Sequence, residues 1–211
     1  MIYINKASML YFLSVGDQEE IIMVLPYTGQ KYYELEISGF CRRLPIVRIS
    51  EDTWIASFVM LGDVTLVNFC AGALATKLAK LAFDYIVCPE AKVLPLAHAL
   101  STFLGRPYYI VCRKSVKAYM TNPLAVEVQS ITTSEKQSLV MDSIDVEKVR
   151  GKKVVVVDDV VSTGGTMDAL EELMKQAGAT VIAYAAVLKE GDLCKKDFIY
   201  LEDLPVFKKQ I

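Results

Sequence analysis

The chain has 211 residues and carries 23 Lys and Arg against 25 Asp and Glu, a formal net charge of −2. That length suits one large domain, or one domain with an attached subdomain, and it allows a substantial buried core. The nearly balanced charge provides no basic field for nucleic acid, so we expect no nucleic-acid partner. The five cysteines contain no C-x-x-C pair, which favours reduced, packed thiols in a cytoplasmic protein.

An apolar stretch near the start of the chain, residues 7–15, is too short to cross a bilayer. It follows a single lysine and lacks a small-residue cleavage site, which argues against a signal peptide. We therefore expect no association with a membrane.

The first 60 residues predict β-hairpins. Strands are expected over residues 20–25, 31–37, 44–49 and 53–60, with Pro26 ending the first of them. An Ala- and Leu-rich helix is expected next, over residues 67–81. The sequence thus predicts a β-rich subdomain over residues 1–60 and an α/β core over residues 61–211.

Two strand–loop units open the predicted core. A strand over residues 84–88 runs into Pro-Glu-Ala-Lys, and a helix follows from Leu94 or Pro95 to Leu104. The next strand, residues 107–112, runs into Arg113, Lys114 and Lys117. Three cations within five residues at the carboxyl end of a strand suit a ligand with several negative charges, such as pyrophosphate.

An excursion from the core is predicted over about residues 115–141. Two strands, residues 126–131 and 137–141, are expected there, joined by a polar turn.

The most informative stretch is residues 154–166, which read VVVVDDVVSTGGT. Four consecutive valines predict a strand buried on both faces of a parallel sheet, and we expect the two aspartates to end it. The carboxyl edge of such a sheet is where open α/β proteins bind ligands. A helix is predicted from Met167, so the backbone N–H groups of the intervening turn form a phosphate site.

Glycines in this turn allow close approach of an anion, and its hydroxyl groups add donors. The carboxylates of Asp158 and Asp159 suit the hydroxyls of a sugar or a hydrated Mg²⁺. Together these features predict a sugar-phosphate site. The predicted turn consists of Ser162, Thr163, Gly164, Gly165 and Thr166.

The chain ends with further β structure. A buried strand is predicted over residues 180–188, and Lys189 follows it at the same carboxyl edge. A last strand is predicted over residues 198–201, and residues 204–207 are expected to pack back on the sheet or on the β-rich subdomain.

Strand, acid pair, T-G-G-T-like loop and helix occur here in the order found in the type I phosphoribosyltransferases, which bind 5-phosphoribosyl-1-pyrophosphate (PRPP). The segment Arg113–Lys117 resembles the R-K-x-x-K segment of the adenine enzymes, and residues 58–66 resemble their F-x-D-I-T-x-L segment. The resemblance covers about residues 60–207. It implies an α/β fold with a doubly wound, mostly parallel five-stranded sheet, flanking helices and an N-terminal β-rich hood over the base. It also implies that the excursion over about residues 115–141 is a flexible lid that closes over PRPP.

The resemblance also implies a role for each part of the site. The turn after the acids would hold the 5′-phosphate of PRPP, while Asp158 and Asp159 would act in catalysis and in holding Mg²⁺, directly or through water. Lys92 stands where the adenine enzymes carry the arginine of E-S-R-G. The pyrophosphate site would comprise Glu90, Ala91, Lys92, Arg113, Lys114 and Lys117, and the base site Val160, Leu188 and Lys189.

The implied reaction converts a free purine base and PRPP into a nucleoside 5′-monophosphate and pyrophosphate. The resemblance implies an enzyme of the adenine type that forms a homodimer. Adenine enzymes carry a lid glutamate that residues 130–134 lack, which leaves Glu127 and Glu135 as candidates for its proton-transfer role. The base is therefore left open, with xanthine, hypoxanthine, guanine or orotate as alternatives. A regulatory protein that only senses PRPP is the alternative from another functional class.

Overall fold

The computed structural model describes residues 23–128 and 137–209. Its first half contains β1 (Val24–Tyr27), β2 (Tyr32–Ile37), β3 (Phe40–Arg48), β4 (Thr53–Ala56), α1 (Val64–Leu78), β5 (Tyr85–Pro89), α2 (Leu94–Phe103) and β6 (Tyr109–Cys112). Its second half contains β7 (Leu124–Val128), β8 (Gln137–Met141), α3 (Ser143–Val149), β9 (Lys153–Val161), α4 (Gly165–Gln176), β10 (Thr180–Glu190), β11 (Glu202–Leu204) and β12 (Val206–Lys209).

A parallel sheet with the strand order β11-β10-β9-β5-β6 forms the centre of the molecule. The four consecutive valines at residues 154–157 of β9 are fully buried, because helices cover both faces of the sheet. Residues of α1 and α2 pack on one face and residues of α4 on the other. The predicted doubly wound, five-stranded α/β fold is confirmed.

A second sheet, the hood sheet, has the strand order β1-β12-β4-β3-β2. Its β12 strand comes from the C-terminal end of the chain and pairs with β1 and β4. The expectation that the tail packs back on the hood is met by this strand. The hood sheet combines the strands β1 to β4 with β12 from the C-terminal part of the sequence. The proposed domain boundary at residue 60 therefore applies only to the strands β1 to β4.

The hood sheet contacts the core through shared apolar packing and through an ion pair at the start of α1. Arg42 donates from Nε and Nη2 to the two carboxylate oxygens of Asp63, at 2.7 and 3.1 Å. Asp63 also accepts from the backbone N–H of Leu66, and Arg42 holds the pKa of its carboxyl below the usual value. This capping interaction starts the helix at Val64, three residues before the predicted start at residue 67.

Several predicted strand bounds are wrong. The strand β3 begins at Phe40 rather than at residue 44, and β4 ends at Ala56 rather than at residue 60. The first strand does not stop at Pro26, because β1 lies at the edge of the hood sheet, where proline is tolerated. The strand β9 does not end at the two aspartates but continues to Val161, because Leu188 and Lys189 of β10 pair with its last two residues. The strand predicted over residues 198–201 is not formed. The strand β11 begins after it, at Glu202, and Ile199 forms an isolated bridge with Ala185.

One helix was not predicted. The short α3 lies between the lid strands and β9, with Asp145 in its first turn and Lys148 in its last. The two strands predicted for the lid are present as β7 and β8, which pair antiparallel, and β7 begins at Leu124, two residues before the predicted start. No helix within the described part of the chain has the length and apolarity needed to span a membrane.

Candidate active site

The loops that follow β5, β6, β9 and β10 lie at one edge of the sheet, because these four strands are parallel. Two adjoining cavities open there, and Asp158, Val160 and Thr166 line both. The smaller cavity, of about 140 Å³, is formed by the turn after β9, and the larger one, of about 250 Å³, lies towards β5 and β6.

The smaller cavity has the features of an anion site. All five residues of the predicted turn, residues 162–166, line it, and we call this turn the phosphate loop. Gly164 has φ 85°, which non-glycine residues rarely adopt, and it caps the first turn of the twelve-residue helix α4. The N-terminus of α4 therefore points its first backbone N–H groups at this cavity, as in phosphate sites of other α/β proteins.

A segment that the sequence did not single out packs on the phosphate loop. It comprises residues 191–198, and we call it the cover segment. A Cβ atom placed on Gly164 would lie only 2.7 Å from the Sγ atom of Cys194. Lys196 anchors the same segment to α4 through ion pairs with Asp168, at 3.1 Å, and with Glu171. No motif marks these residues, because their role arises only from the way the chain returns over the loop.

The two aspartates are adjacent and buried, each with 9% of its surface exposed. The backbone N–H of Asp159 donates to Oδ1 of Asp158 at 2.9 Å. Burial and then the negative charge of Asp159 raise the pKa of Asp158 well above its usual value. The pair thus places a hardly solvated carboxylate where the two cavities meet, with the second carboxylate on the wall of the larger cavity.

The larger cavity is lined by the loop after β5, which we call the β5 loop, over residues 89–93. Lys92 from this loop and Lys114 from the loop after β6 contribute cations to its wall. Ser138 and Leu139 of the lid strand β8 line it from the side.

Glu90 forms ion pairs with the other two predicted cations, Arg113 and Lys117. Its carboxylate accepts from the backbone N–H of Lys114 at 2.7 Å and lies 3.3 Å from Nε of Arg113 and 3.9 Å from Nζ of Lys117. Arg113 and Lys117 themselves do not line the cavity. All six predicted pyrophosphate residues thus lie together, but two of the cations face Glu90 rather than open space.

The three residues predicted for the base are only partly brought to the site. Val160 lines both cavities, whereas Leu188 is fully buried in the core and Lys189 forms an ion pair with Asp192. The neighbouring Glu190, not predicted, has a pKa raised by burial and partly offset by a hydrogen bond from Ser162. Contacts of Leu188 and Lys189 with a base stay a prediction.

The proton-transfer role proposed for Glu127 or Glu135 stays a prediction. Glu127 lies in β7, opposite Ser138 of β8. Glu135 lies outside the described residues.

The donor set fits a magnesium ion that depends on its substrate for most ligands. Within residues 23–128 and 137–209, no group of three or more His, Cys, Asp or Glu side chains is arranged to hold a metal. Asp158 and Asp159 offer two carboxylates, which is what Mg²⁺ takes from proteins when phosphates and water complete its octahedron.

Comparison with known proteins matches residues 66–207 to the phosphoribosyl transferase domain. A hypoxanthine/guanine phosphoribosyltransferase of Methanocella paludicola is 34% identical over 120 residues, which are 57% of this chain and 59% of that protein. An adenine phosphoribosyltransferase of Thermosipho africanus is 29% identical over 156 residues, covering 69% of this chain and 82% of that protein. The chain thus spans only about three fifths of the first relative's length.

Solved structures agree on the fold. The adenine phosphoribosyltransferase of Thermoanaerobacter pseudethanolicus aligns with a TM-score of 0.59 and 26% identity, covering 68% of this chain and 84% of that one. The enzyme of Rhodothermus marinus has the same TM-score at 19% identity and covers 82% and 94% of the two chains, and it supports the fold alone. With the matched domain occupying two thirds of its length, the chain belongs to the phosphoribosyltransferase family.

Proposed function

We propose that the protein transfers the 5-phosphoribosyl group of PRPP to a purine base and releases pyrophosphate. The observation that carries this proposal is the pair of cavities that meet at Asp158. One has the glycine turn and helix N-terminus of a monophosphate site, and the other has the cations of a polyanion site. A ribose ring between its 5′-phosphate and its 1-pyrophosphate requires these two sites with carboxylates between them.

The roles of the residues follow from this placement. The phosphate loop would hold the 5′-phosphate, and Lys92 and Lys114 would neutralise the pyrophosphate. The bond between C1′ and the pyrophosphate oxygen breaks with its electrons on the oxygen, a base nitrogen forms the new bond to C1′, and its proton passes to solvent. Asp158 and Asp159 would bind the ribose hydroxyls and stabilise the positive charge that develops at C1′.

Magnesium belongs to the proposal as the partner of PRPP. Asp158 and Asp159 would hold it, directly or through water, and the ion would neutralise charge on the pyrophosphate as the C1′–oxygen bond breaks. The lid strands would exclude water from the activated ribose, since Ser138 and Leu139 already border the cavity.

The proposed acceptor is a purine, because the relatives above are named for adenine and for hypoxanthine and guanine. Adenine is the base that the resemblance favours. The test measures pyrophosphate release from PRPP with adenine, hypoxanthine, guanine, xanthine and orotate in turn. We expect one or two purines to be used and orotate to be inert. PRPP binding without turnover on any base would contradict the enzyme and would favour the PRPP sensor.

Replacing Asp159 with Asn should weaken the binding of PRPP in the presence of magnesium by about tenfold, since one charged hydrogen-bond acceptor is lost from the ribose side of the site. Isothermal titration calorimetry measures this directly. The same titration without magnesium should show a smaller difference between variant and wild type. Equal affinity in both conditions would remove Asp159 from the ribose and magnesium site.

We also propose a cytoplasmic homodimer. All five cysteines are free, which suits a reducing compartment. Val59 and Leu61, which precede α1, and Val64, its first residue, are each more than half exposed, and a second copy would cover these apolar side chains. Sedimentation equilibrium at micromolar concentration would contradict this assembly if it gave the monomer mass of 23.5 kDa.

A further inference from the structure

Glu90 is a carboxylate in the middle of a proposed anion site. It lines the larger cavity, and its side chain is only 16% exposed. An acid at this place repels pyrophosphate, so it is not explained as one of the residues that bind this ligand. Its contacts suggest another role.

Glu90 joins the two loops that form the larger cavity. One carboxylate oxygen accepts the Lys114 N–H at 2.7 Å and also faces Nζ of Lys117, while the other faces Nε of Arg113. Within residues 23–128 and 137–209, Arg113 and Lys117 have no other ion pair, and the buried Nε of Arg113 makes no hydrogen bond. Among the described residues, Glu90 is therefore the counter-ion of both cations.

We propose that Glu90 is an internal competitor of pyrophosphate: it holds Arg113 and Lys117 in the ligand-free protein, and an incoming pyrophosphate group must displace it from them. This inference rests on the proposed function, because it assumes that pyrophosphate occupies the larger cavity. Its consequence is a limit on the affinity for pyrophosphate, which favours release of this product.

Two physical effects act in the same direction. Binding of pyrophosphate breaks the attraction between Glu90 and the two cations, which lowers the net gain. The displaced carboxylate also stays beside the ligand, because the backbone N–H of Lys114 holds it at the cavity wall, and like charges in a half-buried site repel strongly. Removing the charge of Glu90 should therefore strengthen binding.

The test is Glu90→Gln, which removes the charge and keeps an oxygen that can accept the N–H of Lys114. Calorimetric titration with magnesium pyrophosphate should show binding about tenfold tighter than in the wild type, a change of about 1.4 kcal/mol. In the transfer assay, pyrophosphate should become a correspondingly stronger product inhibitor.

The matched control is Glu34→Gln in the hood. Glu34 pairs with Nε of Arg43 at 2.6 Å, so this variant also breaks a carboxylate–arginine pair and changes the net charge equally, but outside both cavities. Its affinity for pyrophosphate should equal that of the wild type. Glu90→Ala is the second variant: it removes the same charge with a different side chain and should also tighten binding.

The outcomes separate the two proposals. Unchanged or weaker pyrophosphate binding in both Glu90 variants overturns the competitor role, and weaker binding would identify Glu90 as a residue that positions the cations. Equal tightening in Glu34→Gln would mean that only net charge matters, and it also overturns the role. If the wild type itself binds no magnesium pyrophosphate at millimolar concentration, the proposed function fails at its pyrophosphate site.

Discussion

Replacing Asp158 with Asn should stabilise the ligand-free protein at neutral pH and nearly abolish transfer. Burial and the neighbouring charge of Asp159 raise the pKa of Asp158 above its value in the unfolded chain. The native state therefore binds the proton more tightly. The resulting stability is fully present below the unfolded pKa and is lost as the pH rises through the folded pKa. At neutral pH an uncharged Asn avoids this loss and still accepts the N–H of Asp159.

The expected effect is a higher melting temperature at pH 7, because the variant no longer buries a charged carboxylate. Thermal unfolding with EDTA measures it, and the difference from the wild type should shrink towards pH 4. Asp52→Asn is the control of opposite sign. The pKa of Asp52 is lowered to about 2, chiefly by hydrogen bonds from Thr53 and Ser50, so its replacement should not stabilise the protein. A lower melting temperature for Asp158→Asn at pH 7 would contradict the buried-acid argument.

The same variant should lower kcat by about 10²–10³-fold, the usual cost of removing one group that stabilises transition-state charge. Binding of ribose 5-phosphate should persist, because the phosphate loop keeps its backbone donors. A variant that is more stable, binds the phosphate and fails in catalysis would show that the site retains a costly charge for its chemistry. Full activity would place the reacting carbon away from Asp158.

Local patterns in the sequence were sufficient for the centre of the fold and for the phosphate end of the site. The valines of β9 and the hydroxyl-glycine turn after it specify a buried strand and an anion loop within thirteen consecutive residues. The carboxyl ends of parallel strands meet at one edge, so the position of Lys92 and Lys114 beside this loop also followed.

Features that depend on contacts between residues far apart in the chain could not be predicted from the sequence. The return of β12 into the hood sheet and the cover of Cys194 over Gly164 join residues far apart in sequence, and no local pattern encodes such contacts. The attraction of Arg113 towards Glu90 rather than towards the cavity is decided by which opposite charge is nearest in space. Residue types therefore located the cations correctly but not the direction in which they point.

Replacing Gly164 with Ala should damage the phosphate site more than any other small substitution in this loop. The φ of 85° disfavours any side chain by about 1–2 kcal/mol. The added Cβ would also lie 2.7 Å from Sγ of Cys194, and relieving such an overlap in a packed region costs about 1–3 kcal/mol more. Because Gly164 is the N-cap of α4, the displacement moves the backbone N–H donors that line the smaller cavity.

Gly39→Ala separates the two contributions. Gly39 has nearly the same φ, 87°, but nothing lies within 4 Å of a Cβ placed on it. Denaturant unfolding should therefore show a loss for Gly164→Ala that exceeds the loss for Gly39→Ala by the cost of the overlap. Only the Gly164 variant should lose affinity for ribose 5-phosphate, by at least about tenfold if one or two backbone donors are misplaced.

Adding Cys194→Ala to Gly164→Ala removes the Sγ atom and leaves only the backbone strain. The double variant should regain most of the lost stability, down to a deficit like that of Gly39→Ala, and part of the affinity for the phosphate. Recovery of this kind would make the cover segment part of the phosphate site, since a residue thirty positions away would then set the shape of its loop. If Gly164→Ala and Gly39→Ala lose the same free energy of unfolding and phosphate binding is unchanged, the packing of Cys194 on the loop does not contribute to phosphate binding.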